Sequence, residues 1–440
     1  MPTTAAALCR CSGLAILTLL LLSRQTVAPR PLAARRRAAQ PPHLGRADRL
    51  AAIAKGAPDV AAYLPLRFEA KFSSPCWRNG SALRCLPRLF LAGAMQCGVP
   101  DLWERLRAHA LLGALRYDAQ AHWWTNHPRS RAGYFERYVS LYSGERTAAA
   151  LEAEPRSVLA DASPASFTYM MAEELRLHYL YLDAFDNCYR RCRNQKLPEA
   201  VAAKCADRAY GMEHCYPEAE AAAVPLDFNV PSFVATVLEG ARPVVVALLR
   251  EPAARLWISF WFYGQFPAKY GATNAGFGYY FSNQSAAFAS CAAAHGTRPC
   301  ALRFEAHGPE QAAVYYHCDQ LIKGMYSEFL PEWQWAFGQR LLLFRAERYF
   351  ARPARVLHRV WRALGLRAPT DDERAAADGV RPRDELADVV AKHGEPPAEA
   401  LARVRAFYAP GVRALSELLG DGGGWYGGRE AARFGVEADG

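Results

Sequence analysis

The chain has 440 residues, of which 51% are hydrophobic and 22% charged, a composition that excludes disordered and fibrous proteins. The formal net charge is +10, but residues 1–47 contain seven arginines and no acidic residue. The remainder carries 46 basic against 43 acidic residues. Such a nearly neutral body argues against non-specific nucleic-acid binding, which needs many phosphate-neutralising cations. The length allows two or three domains, or one large α/β domain with extensions.

The first feature along the chain is a short apolar run, residues 11–22 (CSGLAILTLLLL). As a helix it would be about 18 Å long, well short of the roughly 30 Å hydrocarbon core of a membrane. A cleaved signal peptide and a short uncleaved signal-anchor both fit this length. The Arg-rich, acid-free flank is also found in organellar transit peptides. We predict a signal peptide or signal-anchor over residues 1–28, followed by an Ala/Pro/Arg-rich stem over residues 29–71.

The cysteines of the body favour disulfides. Ten of the twelve cysteines follow the leader, and an even count with close neighbours predicts the bonds Cys76–Cys85 and Cys291–Cys300. Four more form a cluster whose pairing the sequence leaves open: Cys188, Cys192, Cys205 and Cys215. The spacing of this cluster could also suit zinc, but it has no CxxC motif and only one histidine, so we predict disulfides and no metal.

Two N-x-[ST] sequons support the same compartment as the disulfides. They predict glycosylation at Asn79 and Asn283. Disulfides form in oxidising compartments. Together these signals favour the secretory pathway over an organelle, with the body in the lumen.

The body alternates short apolar runs with helical stretches. Residues 89–93 (LFLAG), 243–249 (PVVVALL) and 341–344 (LLLF) are typical of parallel strands covered on both faces. Helices are predicted after these runs, for example over residues 101–115 and 355–364. This alternation indicates an α/β sandwich around a mostly parallel sheet. Ligands in such folds bind at the carboxyl ends of strands, which singles out the junctions after Gly93 and Leu249.

At the first of these junctions a strand passes through a glycine-containing turn into a helix. Backbone N–H groups and the positive end of the helix are thereby offered to a phosphate. The segment 95–102 (MQCGVPDL) nevertheless has no Lys and no hydroxyl side chain, and Pro100 removes a donor. Taken alone, it is more typical of an ordinary strand-to-helix turn.

The ordered set of motifs resembles the carbohydrate sulfotransferases, and within them the N-acetylgalactosamine 4-sulfate 6-O-sulfotransferases and their algal relatives. Residues 95–102 follow that family's P-K-C-G-T-T-D-L loop, and residues 249–257 (LREPAARLW) follow its R-D-P-x-x-R-L-Y-S element. Further matching segments are 122–125 (HWWT), 161–164 (DASP), 317–320 (HCDQ), 323–326 (KGMY), 330–333 (LPEW), 344–347 (FRAE), 392–397 (KHGEPP) and 407–410 (FYAP). The resemblance covers roughly residues 72–426, which predicts a sulfotransferase domain there and a C-terminal tail over residues 427–440.

The resemblance implies a three-layer, nucleotide-kinase-like (P-loop-type) fold that binds 3′-phosphoadenosine-5′-phosphosulfate and transfers its sulfuryl group to a polysaccharide hydroxyl. It also implies a Golgi membrane protein with a lumenal body, with secretion as the alternative. The donor-binding residues that it implies are Gln96, Cys97, Gly98, Val99, Pro100, Asp101, Arg250 and Ser259.

The sequence departs from the family at the positions that carry the chemistry. Gln96 replaces the loop Lys, Val99 and Pro100 replace two Thr, and Gln120 replaces the presumed catalytic Glu. His122 is then the candidate base. Losing a charged donor at a developing charge costs about 10²–10³ in rate. A second hypothesis is therefore a degenerate family member that acts as a glycan-binding or partner-stabilising pseudoenzyme.

Overall fold

A computed structural model describes residues 44–113, 120–126, 133–169, 179–193, 204–205, 208–304 and 319–420. The strands are β1 (Cys76–Asn79), β2 (Ala82–Cys85), β3 (Leu89–Gly93), β4 (Ala160–Asp161), β5 (Val244–Leu249) and β6 (Leu341–Arg345). The helices of the first half are α1 (Arg46–Gly56), α2 (Pro58–Ala61), α3 (Val99–Leu106), α4 (Ala110–Gly113), α5 (Tyr134–Leu141), α6 (Glu145–Ala153), α7 (Tyr179–Arg193), α8 (Arg208–Ala222) and α9 (Val230–Val237). Those of the second half are α10 (Pro252–Phe262), α11 (Gln265–Tyr270), α12 (Asn274–His295), α13 (Thr297–Arg303), α14 (Leu330–Phe337), α15 (Ala346–Ala351), α16 (Pro353–Ala363), α17 (Asp371–Asp378), α18 (Glu385–His393) and α19 (Ala398–Leu419).

The centre of the fold is a parallel sheet with the strand order β4–β3–β5–β6 among the described residues. In its register Leu89 lies opposite both Ala160 and Val244, while Val245 lies opposite Leu341. Every residue of β3 and β5 is buried, so both faces of these strands are covered. This confirms the predicted α/β class and the three apolar runs, since strands buried on both faces need no alternation of polar and apolar residues.

A separate antiparallel hairpin, β1–β2, precedes the sheet. It turns at Gly80, whose φ of +60° suits glycine, and the disulfide Cys76–Cys85 joins its two ends. Asn79, the first sequon asparagine, is exposed beside this turn. The second, Asn283, is exposed on α12.

The packed body begins earlier than the predicted boundary at residue 72. Helix α1 packs against α9, and Ile53 and Val60 are completely buried in the main core. The stem assignment is therefore corrected from residue 44 onward. These residues pack although they are rich in alanine, because a few large apolar side chains are enough to dock a short helix. The leader, residues 1–28, and the tail, residues 427–440, lie outside the described residues.

Two further regions are held by disulfides. Cys188–Cys215 joins α7 to α8, and Cys192–Cys205 joins α7 to a residue that precedes α8. The two helices also share an apolar cluster of their own. Cys291–Cys300 joins α12 to α13. Within the described ranges no helix combines the length and apolarity needed to span a bilayer.

Candidate functional site

The sheet order creates a crevice between the carboxyl ends of β3 and β5. The strand that follows β3 in the chain among the described strands, β4, lies on one side of the crevice. The strand that follows β5, β6, lies on the opposite side. The connections that leave these two neighbouring strands therefore diverge, which is the topological switch point at which α/β sheets bind ligands. The loop after Gly93 and the side chain of Arg250 both lie at this point, as the sequence predicted.

The backbone of the β3–α3 loop is shaped like an anion cradle. Gln96 and Gly98 have φ values of +57° and +91°, and they alternate with residues of negative φ. Such alternation turns successive N–H groups towards a common point. The N–H of Ala94 donates to Leu248 O at 2.7 Å and fixes the loop to β5, whereas the N–H groups of residues 95–98 donate to no other described residue. Helix α3 starts at Val99 and adds its positive end.

The loop side chains point mostly into the protein. The Cys97 thiol is buried, donates to Met95 O at 3.4 Å and lies 3.7 Å from the Tyr326 hydroxyl. Burial raises the pKa of this thiol to about 11, so it stays protonated at neutral pH. Val99 is buried, and Pro100 lies in the first turn of α3. The contribution of these residues to a ligand is therefore limited to their backbone.

Asp101, another implied donor-binding residue, is completely buried. One carboxylate oxygen accepts from Arg105 Nε at 2.9 Å and from the Tyr349 hydroxyl. The other accepts from the Arg383 backbone N–H at 2.9 Å. Both oxygens are thus engaged in joining α3 to the C-terminal part of the body.

The Gln96 side chain is held against α10. Its Oε1 accepts from Ser259 Oγ at 3.2 Å and from Arg255 Nη2 at 3.4 Å. Its Nε2 donates to the Tyr263 hydroxyl at 3.3 Å. Ser259 therefore contacts the loop directly although it lies one residue beyond the family's Ser position, which Ile258 occupies.

Arg250 connects the two edges of the crevice. Its Nε donates to Gln96 O at 3.0 Å, which ties the end of β5 to the loop. Its Nη2 donates to Asp384 Oδ1 at 2.7 Å and lies 3.7 Å from Glu385 Oε2. Burial raises the pKa of Glu385, and the neighbouring guanidinium partly opposes that shift. The guanidinium is therefore neutralised by carboxylates at the start of α18.

His122 lies at the end of the neighbouring strand β4. Its backbone N–H donates to Ser163 Oγ at 2.8 Å, and Ser163 donates to Asp161. Asp161 also accepts from the Tyr138 hydroxyl at 2.7 Å, and burial raises the pKa of its carboxyl to about 6. The turn that follows is close to β3, because a Cβ at Gly93 would lie 2.9 Å from Pro164 O.

The segment around His122 also contains core residues. Trp123 and Trp124 are buried, and Trp124 Nε1 donates to the Tyr138 hydroxyl at 2.8 Å. Gln120, at the position of the presumed base, is exposed.

Sequence reasoning missed the carboxylates of Asp384 and Glu385 and the amide of Gln320, which contacts Arg255. Gln320 lies in a segment that matched the family, but nothing in the motif indicated its partner. Asp384 immediately precedes helix α18, a position at which Asp is a common helix cap. It does cap α18, since it accepts from Leu386 N at 3.1 Å.

The chain is similar to carbohydrate sulfotransferases. Human carbohydrate sulfotransferase 15 is 23% identical over 351 residues, which cover 77% of this chain and 54% of the human protein. The chain thus spans about half the length of this curated relative. Carbohydrate sulfotransferase 15 from rat is 39% identical over 62 residues, which cover 13% of this chain and 10% of the rat protein. No family model matches the sequence.

A solved structure titled as a sulfotransferase from Alicyclobacillus acidocaldarius is also similar, at 16% identity. The superposition covers 76% of this chain and 95% of the bacterial chain, with a TM-score of 0.35.

Proposed function

We propose that this chain is a member of the carbohydrate sulfotransferase family and binds 3′-phosphoadenosine-5′-phosphosulfate at the crevice between β3 and β5. The observation that carries this proposal is the anion cradle of residues 95–98 at the switch point, with the Arg250 guanidinium beside it. Similarity to carbohydrate sulfotransferase 15 over 77% of the chain supports it.

The residues at the crevice fit a nucleotide with two phosphate groups. The N–H groups of residues 95–98, which donate to no described residue, and the start of α3 would hold the 5′-phosphate. Arg250, at the end of β5, would hold the 3′-phosphate, because a guanidinium gives bidentate contact with phosphate. Asp384 already occupies this guanidinium. A 3′-phosphate must therefore displace a carboxylate before it can bind.

The bound donor supplies an activated sulfuryl group. In the transfer, the bond between sulfur and the bridging oxygen breaks, and its electron pair stays on the 5′-phosphate. A new bond forms between sulfur and the acceptor hydroxyl oxygen, whose proton goes to a base. His122, whose backbone N–H donates to Ser163 at the end of β4, is the base that we propose.

The acceptor in this proposal is a polysaccharide hydroxyl. Phe262 is 62% exposed at the end of α10, next to Tyr263, whose hydroxyl contacts the loop. An exposed aromatic ring beside the crevice offers a stacking surface for a sugar. The disulfides of the body support a lumenal location, and we propose the Golgi, with attachment to its membrane through the N-terminal segment.

The alternative function, a glycan-binding or partner-stabilising pseudoenzyme, is favoured by one observation. The polar groups of the site satisfy one another: Gln96 bonds to α10, and Arg250 bonds to Asp384. A site in this state binds its nucleotide weakly and needs no turnover to keep the fold.

Calorimetric titration with 3′-phosphoadenosine 5′-phosphate tests the proposal without knowledge of the acceptor. We expect saturable binding by the wild type. Arg250→Ala should weaken it by about 1.5–3 kcal/mol, the contribution of a hydrogen bond to a charged group. Arg405→Ala is the matched control, since Arg405 is exposed and pairs with Glu251 at the same sheet edge. Equal affinities of the wild type and Arg250→Ala would remove Arg250 from the site, and no binding at all would refute the proposal. Transfer of sulfate to neutral or acidic polysaccharides then separates the enzyme from the pseudoenzyme.

A further inference from the structure

The guanidinium of Arg255 lies directly behind the position where the loop lacks its Lys. Arg255 is on α10, completely buried, and its Nη2 lies 3.4 Å from Gln96 Oε1. Nη1 donates to Gln320 O at 2.7 Å, and Nη2 donates to Gln320 Oε1 at 2.8 Å. Its Nε is buried and has no hydrogen-bond partner in the part of the chain that the structure describes.

The acceptors that the described residues offer to this guanidinium are all neutral. No carboxylate oxygen of the described residues lies within 4.0 Å of it, whereas Arg250 has one at 2.7 Å. The nearest acidic group along its contacts is Asp319, which accepts from Gln320 Nε2 at 2.8 Å. Asp319 is itself paired with Lys323 Nζ at 2.9 Å. Arg255 is therefore a buried cation whose charge no anion among the described residues balances.

A buried charge without a counter-charge is costly and creates a strong preference for an anion nearby. The loop beside Arg255 is the part of the site where N–H groups converge without a described acceptor. Gln96 stands between the two. The guanidinium of Arg255 and the cradle are therefore adjacent, joined by the Gln96 side chain.

We propose that Arg255 acts through Gln96 as the positive charge of the β3–α3 loop and so replaces the missing Lys. The guanidinium at Oε1 polarises the Gln96 amide, which makes its Nε2–H a stronger donor. Ser259 donates to the same Oε1 and fixes the amide in this orientation. The Nε2 hydrogen bond to Tyr263 is 3.3 Å long, so a phosphate oxygen is a better acceptor for it.

Arg255 is in this proposal a positioning residue, and the inference rests on the proposed function. It concerns the 5′-phosphate side of the nucleotide, where negative charge accumulates on the bridging oxygen as its bond to sulfur breaks. Arg250 belongs to the 3′-phosphate side. The two arginines are therefore expected to respond differently to nucleotides that carry only one of the two phosphates.

The test is calorimetry with adenosine 5′-phosphosulfate and adenosine 3′-phosphate. Arg255→Gln should weaken binding of the first about tenfold and of the second less than about twofold. Adding Gln96→Lys to Arg255→Gln should restore the first, because it returns a cation to the loop. Gln96→Lys alone should bring no gain, since two cations then adjoin. Arg255→Lys keeps the charge and serves if the Gln variant does not fold.

Equal weakening for both nucleotides, or no rescue by Gln96→Lys, would show a merely structural role and overturn the inference. If the wild type binds neither nucleotide, the proposed function fails, and inorganic pyrophosphate becomes the probe of the loop. About tenfold weaker pyrophosphate binding by Arg255→Gln would then still support the inference. No pyrophosphate binding by the wild type would overturn it.

Discussion

The two strand ends that form the crevice differ in which parts of an anion-binding site they keep. At the end of β3 the backbone cradle is intact, but the side chains that carry charge and hydroxyl groups in the resembled family are replaced by Gln96, Val99 and Pro100. At the end of β5 the guanidinium of Arg250 is present, but Asp384 neutralises it. The loop after β3 keeps the backbone geometry but has no charged side chain of its own at residues 95–100, whereas the end of β5 keeps a charged side chain that Asp384 already pairs with.

This difference shows that backbone shape and side-chain charge are separable parts of an anion site. The cradle depends on the sheet register and on Gly98, which are also needed for folding. The charges depend on single side chains whose replacement leaves the fold unharmed. A site can therefore lose its charges one by one while its shape persists, and each of the following experiments changes only one of the two.

The largest effect is expected from a change of loop shape. Gly98→Ala places a Cβ 2.6 Å from Phe350 Cζ at a φ of +91°. Left-handed backbone and overpacking together should lower the free energy of unfolding by about 2–5 kcal/mol, and the nucleotide should no longer bind. Gly240→Ala is the control, with a φ of +86° and no atom within 4 Å of the added Cβ. Urea unfolding that finds equal losses for both variants would contradict the tight contact with Phe350.

The second largest effect is expected in the pH dependence of stability, which the buried Asp161 beside β3 should dominate. The pKa of Asp161 is about 6 because of burial, above its ordinary value. Its ionisation therefore destabilises the native state, so its contribution to stability is greatest below pH 4 and is lost as the pH rises through 6. The stability of the wild type relative to Asp161→Asn should fall by about 2–3 kcal/mol between pH 4 and 7.5. Asp372→Asn, on an exposed residue, should show no such trend. A constant difference between the wild type and Asp161→Asn in urea unfolding at both pH values would contradict this.

The smallest effect concerns the occupied charge at β5. Asp384→Asn removes the carboxylate from Arg250, while an Asn side chain still caps α18. Affinity for 3′-phosphoadenosine 5′-phosphate should rise by about 1 kcal/mol, because the phosphate no longer competes with Asp384. Asp388→Asn, on the exposed face of the same helix, is the charge-matched control. If titration finds that Asp384→Asn weakens binding, the carboxylate supports the site instead of competing for it.

The sequence predicted the central strands of the sheet better than its edge strand β4 and the first helix α1. The apolar runs of β3, β5 and β6 were evident because strands buried on both faces are continuously hydrophobic. The strand β4 has only two residues and leaves no such pattern. Helix α1 was missed because its core contact depends largely on Ile53 among alanines.

For the site, the sequence predicted which strand ends meet but not how their side chains pair. Arg250 and Gln96 lie 154 positions apart and meet because parallel strands end at the same edge. The partners Asp384 and Gln320 come from segments that follow β5 and are brought in by packing alone. Pairing within the four-cysteine cluster was open for a similar reason, since four cysteines allow three connectivities.

The buried thiol of Cys97 makes the loop measurable in the native protein. Among the described cysteines, Cys97 is the one that forms no disulfide. Because its pKa is about 11, only about one thiol in a thousand is ionised at pH 8. Alkylation must therefore wait for a local opening of the loop. The rate of labelling, followed at this peptide by mass spectrometry, then reports the lifetime of the closed cradle, and an anion held by the cradle lengthens that lifetime.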